Sequence, residues 1–420
     1  MRRQRVPLSR FTRHQAVLTA VATAAVLVVA TAQSASTVST VEGGTESLTQ
    51  SSAPTSASSA PRPRARPLAG TGIIRWGSTY PTAAGYERYA YVLVGMPDAQ
   101  RAARLPGTSL VYMSGTSIPR KWSTGVSYHE ALGNGWLLKD AGGSYVMNVK
   151  YGTYVGDVGE PAYQRRFLNN VTEFLQRTRL DGVFIDDVLG YPLGLTGGVY
   201  PAKYPTGEAW EAAMVSFVAT VGRALKARGF YVLANASKFV AGDPRSNTSE
   251  NAAGFWRRIA PGVSGLMLEY WLQSPIDVTQ LRAEGQRWYE LWPSWQSLVS
   301  VAQGAGVDFF GLMYGAGADL RAMRYVRGSF LLDWNGRGGA VIFATTDRPD
   351  PYHAAWVKQL GTAMKPKRLL APGVWQRQYT RGIVVVNTRN EAVTVTVRGR
   401  AWTVGATDAL FAHCACARAG

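Results

Sequence analysis

Several apolar runs in this 420-residue sequence end in a side chain able to move a proton or hold a hydroxyl. Residues 182–185 run into Asp186 and Asp187, 231–234 into Asn235, 265–268 into Glu269, and 298–302 into Gln303. Residues 340–344 lead to Thr345, Thr346 and Asp347. Two carboxyl groups carried by separate elements can divide labour on an acetal. One protonates the departing oxygen, and the other attacks the carbon or activates water. That division needs their pKa values pushed apart, which a half-buried cup achieves. Asp186 and Glu269 are the best such pair. Each polar residue also has a plainer reading. Asp186 could cap a helix, Glu269 could answer a buried arginine, Asp187 could cap or support its neighbour, and Asn235 could shape a turn. Side-chain alternation along a strand would set Asp187 on the side opposite Asp186. Asp181, at the other end of its run, reads as structural.

Aromatic side chains cluster near the same ends: Trp76, Tyr112, Tyr270 and Trp271. Flat rings stack on the apolar faces of sugars, although each ring alone is also ordinary packing. Residues 115–160, rich in Gly, Ser, Tyr and Trp, read as an elaborated loop over the cup, and Asp157 could reach the site from it. The candidate substrate contacts are therefore Asp187, Asn235, Trp76, Tyr112, Asp157, Tyr270, Trp271 and Gln303. There is no H-E-x-x-H, no phosphate-binding Walker loop and no G-x-S-x-G elbow, and the four histidines are dispersed. No cofactor and no metal is called for.

The elements that must position these residues alternate. The apolar runs 73–74, Tyr89–Val94, 110–113, 182–185, 231–234, 265–268, 298–302 and 340–344 are apolar throughout, as parallel strands buried on both faces are. Between them lie helical stripes: Phe167, Val171, Phe174 and Leu175, then Trp210, Met214, Phe217, Val218, Val221 and Leu225, with Gly229 where a helix should stop. Eight strands alternating with helices over about 275 residues predict an α/β fold, a (β/α)8 TIM barrel, whose chemistry sits at the C-terminal ends of the strands. A doubly wound open sheet is the alternative, but no Gly-rich phosphate turn follows the first strand. Beyond Arg368, residues 375–379, Gly382–Asn387, 392–398 and 402–404 change to a period of two, predicting a small C-terminal antiparallel β domain. It is read as a structural cap, with sugar binding as the alternative.

The expected organisation is a signal peptide or signal anchor over 1–32, a Ser/Thr/Pro/Ala linker over 33–68, the barrel over 69–368, the β domain over 369–412 and a tail over 413–420. Arg2, Arg3, Arg5, Arg10 and Arg13 precede a charge-free stretch from Ala16 to Ala32 that ends in Ala30-Thr31-Ala32, a small-residue cleavage pattern. The Arg2-Arg3 pair lacks the apolar context of a twin-arginine signal. The linker has almost no bulky apolar residues, so burial cannot offset the entropy of ordering it. The formal charge is +18, of which the first 67 residues carry +6 and the remainder +12. A basic body attracts acidic glycans or wall polymers. The basic residues are scattered and no nucleic-acid module accompanies them, so nucleic acid is not expected as a partner. Cys414 and Cys416 form a C-x-C pair, too tight for a good structural disulfide and too few for a closed zinc site.

The stretch Leu180-Asp181-Gly182-Val183-Phe184-Ile185-Asp186-Asp187-Val188 resembles the "DGVFxD" strand of bacterial glycoside hydrolases. In particular it resembles the glycosyl-hydrolase-like family fifteen and, more distantly, polygalactosaminidase-type barrels. Residues 154–163, 265–271 with their Glu-Tyr pair, and 375–387 extend the resemblance, which spans roughly residues 73–387. It implies a barrel that hydrolyses carbohydrate, with Asp186 and Glu269 as the matched carboxylates; it supplies no substrate. Taken together, the expectation is a monomeric, secreted or cell-surface glycoside hydrolase acting on an extracellular or cell-wall polysaccharide. It would touch the membrane only through an uncleaved N-terminal segment. The alternative is a non-catalytic glycan-binding protein on the same scaffold.

Overall fold

A computed structural model describes residues 67–75, 85–123, 125–238, 248–272, 288–345, 350–397 and 399–413. The expected export signal, most of the linker, Trp76, Thr346, Asp347, Cys414 and Cys416 lie outside them.

Eight parallel strands close into a barrel: β1 (Leu68–Arg75), β2 (Tyr89–Val94), β3 (Thr108–Ser114), β4 (Gly182–Leu189), β5 (Tyr231–Ser237), β6 (Gly265–Glu269), β7 (Asp308–Gly315) and β8 (Ala340–Thr345). Each strand pairs with its sequence neighbours, and β1 closes on β8 through Thr71 beside Val341 and Gly72 beside Ile342. The inward side chains form a packed interior rather than a pore, with Leu93, Leu110, Phe184, Leu233, Met267, Phe310, Leu312 and Ile342 all buried. At the N-terminal end of β7 the Tyr231 hydroxyl donates to Asp308 at 2.7 Å, and Tyr91 donates to the same oxygen at 3.3 Å.

The larger helices are α1 (Pro161–Thr178), α2 (Gly207–Phe217), α3 (Ser249–Ile259), α4 (Trp288–Gly304) and α5 (Leu320–Leu331). Four of them begin where the sequence supplies caps. Pro161 opens α1 behind the Glu160 carboxylate, Thr206 caps α2, Thr248 caps α3 and Asp319 caps α5. The strand expected over 298–302 is instead part of α4. Leu298, Val299 and Ala302 are buried on one helical face, and a short apolar run cannot distinguish that face from a strand. The seventh strand is β7, whose Gly311 and Gly315 dilute its apolar signal. Gly311 is needed there, because a Cβ would lie 2.2 Å from the Trp271 ring.

C-terminal to the barrel, Arg368–Ala371, Val374–Tyr379, Gly382–Asn387 and Asp408–His413 form a four-stranded antiparallel sheet, and Val393–Val397 pairs with Arg400–Val404. The sheet packs on α5. Gly328 admits Ala409 at a distance no Cβ would allow, and Arg324 holds Asp408 by two bonds of 2.9 and 2.6 Å.

Gly182, inside the "DGVF" stretch, begins β4 where the β5 backbone passes so close that a Cβ would sit 1.9 Å from the Tyr231 carbonyl oxygen. Neither strand can retreat from a closed barrel. Gly182→Ala is therefore expected to destabilise by at least the ~1–3 kcal/mol typical of overpacking, read as a lower urea midpoint.

Candidate active site

Period-two alternation carries the inward positions up each strand to the C-terminal mouth. Phe184 is followed by Asp186 on β4, Leu233 by Asn235 on β5, Met267 by Glu269 on β6 and Leu312 by Tyr314 on β7. Four adjacent strands thus deliver four polar side chains to one place, and these bond in a row. The Asn235 amide nitrogen donates to Asp186 Oδ1 at 2.8 Å and to Glu269 Oε2 at 2.9 Å. The Tyr314 hydroxyl donates to Glu269 Oε1 at 2.8 Å. Tyr112, inward on β3, donates its hydroxyl to Asp186.

Alternation fails at Asp187, and the expectation that it faces away from Asp186 is corrected. Two residues lie between Ile185 and Val188 while one lies between their partners Ala234 and Ala236, so β4 carries one extra residue. Asp187 takes up that residue with φ of 58°, in the left-handed region. Its carboxylate turns to the end of β3, accepting from Ser114 Oγ at 3.1 Å and Ser117 Oγ at 2.8 Å.

Burial pushes all three carboxyl groups above the usual carboxylate range, for distinguishable reasons. For Asp186 burial is opposed by the Asn235 amide, the Asp187 backbone N–H, the Tyr112 hydroxyl and the charge of Lys150. For Glu269 burial is reinforced by the negative charge of Asp186 and opposed by Tyr314, Asn235 and Lys150. Asp187 is pushed up to about 7 by burial and then by Asp186. Asp186 and Glu269 both lie above the ordinary carboxylate value, Asp186 accepting from three donors and Glu269 from two.

The other anticipated contacts divide. Tyr270, just past β6 with φ of 57°, is 42 % exposed and lies against the Tyr314 ring at 5.0 Å between centroids. Trp271 is not at the mouth. It is fully buried behind the barrel wall against Phe309, its indole N–H donating to the Trp295 carbonyl at 3.1 Å, because the next residue after an inward Glu269 and a left-handed Tyr270 returns to the outer layer. Gln303 is also excluded. It sits at the end of α4 and bonds the Val299 and Asp333 carbonyls and the Asn335 N–H. Asp157 is committed to Lys203 at 2.6 Å and to Tyr204, and fastens the loop ahead of α1. Sequence reasoning missed Tyr314, whose strand was misplaced, Ser114, the next inward position after Tyr112 on β3, and Ser117 and Lys150, which no periodicity marks. Among the described residues no group of three His, Cys, Asp or Glu side chains is arranged to hold a metal ion.

A closed parallel barrel with two bridged carboxyl groups at its C-terminal mouth places the protein among the glycoside hydrolases. The chain belongs to hypothetical glycosyl hydrolase family 15, whose profile matches residues 113–383. No curated protein matches the sequence. Among solved structures, the glycoside hydrolase domain of PelA from Pseudomonas aeruginosa is similar at 14% identity, covering 65% of this chain and 94% of that one, with a TM-score of 0.42. The maltogenic α-amylase AmyB from Thermotoga neapolitana is similar at 8% identity over 82% of this chain and 96% of its own, with a TM-score of 0.43. An α-amylase from Geobacillus thermoleovorans is similar at 9% identity over 82% and 97%, with a TM-score of 0.42.

The raised Asp187 predicts a pH-dependent stability. Between the ordinary carboxylate range and about 7 the folded protein holds a proton at Asp187 that the unfolded chain has lost. Rising pH through that window therefore costs stability. Asp187→Asn keeps an acceptor oxygen and removes the ionisation. In denaturation midpoints compared across pH 4 to 8, the variant should gain on the wild type as pH rises to about 7 and then run parallel.

Proposed function

We propose that the protein hydrolyses glycosidic bonds in an extracellular or cell-wall polysaccharide by a double displacement that retains anomeric configuration. The observation that carries this reading is the single amide nitrogen shared by Asp186 and Glu269. The two N–H bonds of an amide group diverge by about 120°, so acceptors at 2.8 and 2.9 Å lie roughly 5 Å apart. Retaining pairs stand about 5–5.5 Å apart, whereas inverting pairs need about 6.5–9.5 Å to admit a water between base and sugar.

The roles are assigned by hydrogen bonding: Asp186, which accepts from more donors, acts as the carboxylate and Glu269 as the acid. In the first step an Asp186 carboxylate oxygen attacks the anomeric carbon while the Glu269 carboxylic acid gives its proton to the departing glycosidic oxygen. The carbon–oxygen bond to the leaving group breaks as the Asp186 ester forms. In the second step Glu269, now a carboxylate, takes a proton from water. The water oxygen then bonds the anomeric carbon and Asp186 departs as carboxylate, leaving Glu269 protonated again. Asn235 keeps both groups in register throughout, and Tyr314 holds the far oxygen of Glu269. Tyr270, exposed beside Tyr314, offers a ring face to the sugar. The basic body suits an acidic polysaccharide, and the Arg-rich start followed by the charge-free stretch 16–32 suits export.

Fragment 67–420 should release reducing ends from one member of a panel of bacterial and plant polysaccharides. Asp186→Asn and Glu269→Gln should each lose about 10³-fold or more of that turnover. Proton NMR of the first product should show the anomer of the substrate. Full turnover in both variants would remove these residues from the chemistry, and the opposite anomer would replace double displacement with direct attack by water.

A further inference from the structure

The turn 149–152 joins two short strands, Met147–Asn148 and Thr153–Val155, in the excursion between β3 and α1. Its outer side chains are exposed: Val149, Lys150 and Tyr151, with the Lys150 ammonium 5.0 Å from the centre of the Tyr151 ring. Its base is fully buried. Asn148 accepts the Lys150 backbone N–H at 3.1 Å, its carbonyl accepts the Gly152 N–H at 2.8 Å, and its amide donates to Ser117 Oγ at 3.3 Å. Ser117 donates in turn to Asp187 Oδ2 at 2.8 Å, and its own backbone N–H is held by Ser114 Oγ at 2.9 Å. One continuous relay therefore runs from the extra residue of β4, next to Asp186, to the peptide of Lys150.

We infer that Asp187 is a positioning residue that, through Ser117 and Asn148, holds the 149–152 turn over the cup so that Lys150 faces Asp186 and Glu269. The inference rests on the reading of those two carboxyl groups as the working pair. It gives the third carboxyl group a purpose that neither proton transfer nor sugar contact requires, and it accounts for the unusual β4 geometry, since only a residue turned to the end of β3 can reach Ser114 and Ser117. The titratable groups facing the pair are Asp187 from β4, Tyr112 from β3, Tyr270 after β6, Tyr314 from β7, and Lys150 and Tyr151 from the turn. Lys150 is the cation of that group. Its charge favours the ionised form of both carboxyl groups and offsets part of their burial.

The test needs no substrate. Protein labelled with carbon-13 at the Asp and Glu carboxyl carbons is titrated by NMR, with Asp186→Asn and Glu269→Gln assigning the two signals. Lys150→Met should move both midpoints to higher pH, and Lys150→Arg should restore them. Ser117→Ala and Asn148→Ala change no charge, yet each should move the midpoints in the same direction by releasing the turn. Wild-type midpoints in Lys150→Met would overturn the facing of Lys150. Wild-type midpoints in both Ser117→Ala and Asn148→Ala, beside shifted ones in Lys150→Met, would overturn the relay. If Asn148→Ala does not fold, the milder Ser117→Ala decides alone. A protein that hydrolyses no glycan would defeat the proposed activity while leaving these midpoints as predicted, so the two failures are separable.

Discussion

The site depends on one shared amide. Two carboxyl groups that share one donor in a desolvated cup repel once both are ionised. Asn235 supplies both hydrogens of one nitrogen, one to each group, and its own buried position on β5 lies between the strands that carry them. That position requires β4, β5 and β6 to be adjacent and in parallel register, which a closed barrel guarantees. The apolar layer beneath, with Phe184, Leu233, Met267 and Leu312 one inward step below the polar ones, excludes water from the floor. The same layer strengthens the amide bonds and raises the carboxyl pKa values.

Such a cup is a cost to the fold. Three carboxyl groups are held above their ordinary range, and each would be better solvated in the unfolded chain. The compensations lie nearby: two hydroxyls on Asp187, a tyrosine and the amide on each of Asp186 and Glu269, and a lysine at the rim. Left-handed backbone at Asp187 and Tyr270 adds strain in the same few residues. The opposite end shares both features on a smaller scale: Arg179, ahead of β4, is left-handed, and burial raises Asp308, which Tyr91 and Tyr231 hold by their hydroxyls.

Much of this was legible in the sequence because alternation propagates. Once residues 182–185, 231–234 and 265–268 are read as buried parallel strands, the next residues must lie at their C-terminal ends. Asp186, Asn235 and Glu269 then fall together. What was not legible came from places where alternation breaks or carries no signal. The extra residue in β4 reverses the direction expected for Asp187. The run 298–302 has the composition of a strand and the burial of a helix, so β7 and its Tyr314 were passed over in favour of Gln303. Trp271 shows the converse error. Proximity in sequence to Glu269 suggested a sugar contact, but the residue is an outer-layer anchor whose ring fills the space left by Gly311.

The excursion between β3 and α1 joins these threads. A βα loop in a barrel is free to vary because its ends are fixed by the strands, and that freedom is how one scaffold serves many sugars. Freedom alone would leave a long loop mobile over the carboxyl groups. Here the loop is fastened at two places, by Asp157 to Lys203 and Tyr204 outside the cup and by Asn148 to Ser117 and Asp187 inside it. The outer fastening secures the loop to the segment ahead of α2. The inner one ends on Asp187, the residue next to the proposed nucleophile. Under the relay inferred above, a shift of the turn would be passed through Asn148 and Ser117 to Asp187, the neighbour of Asp186.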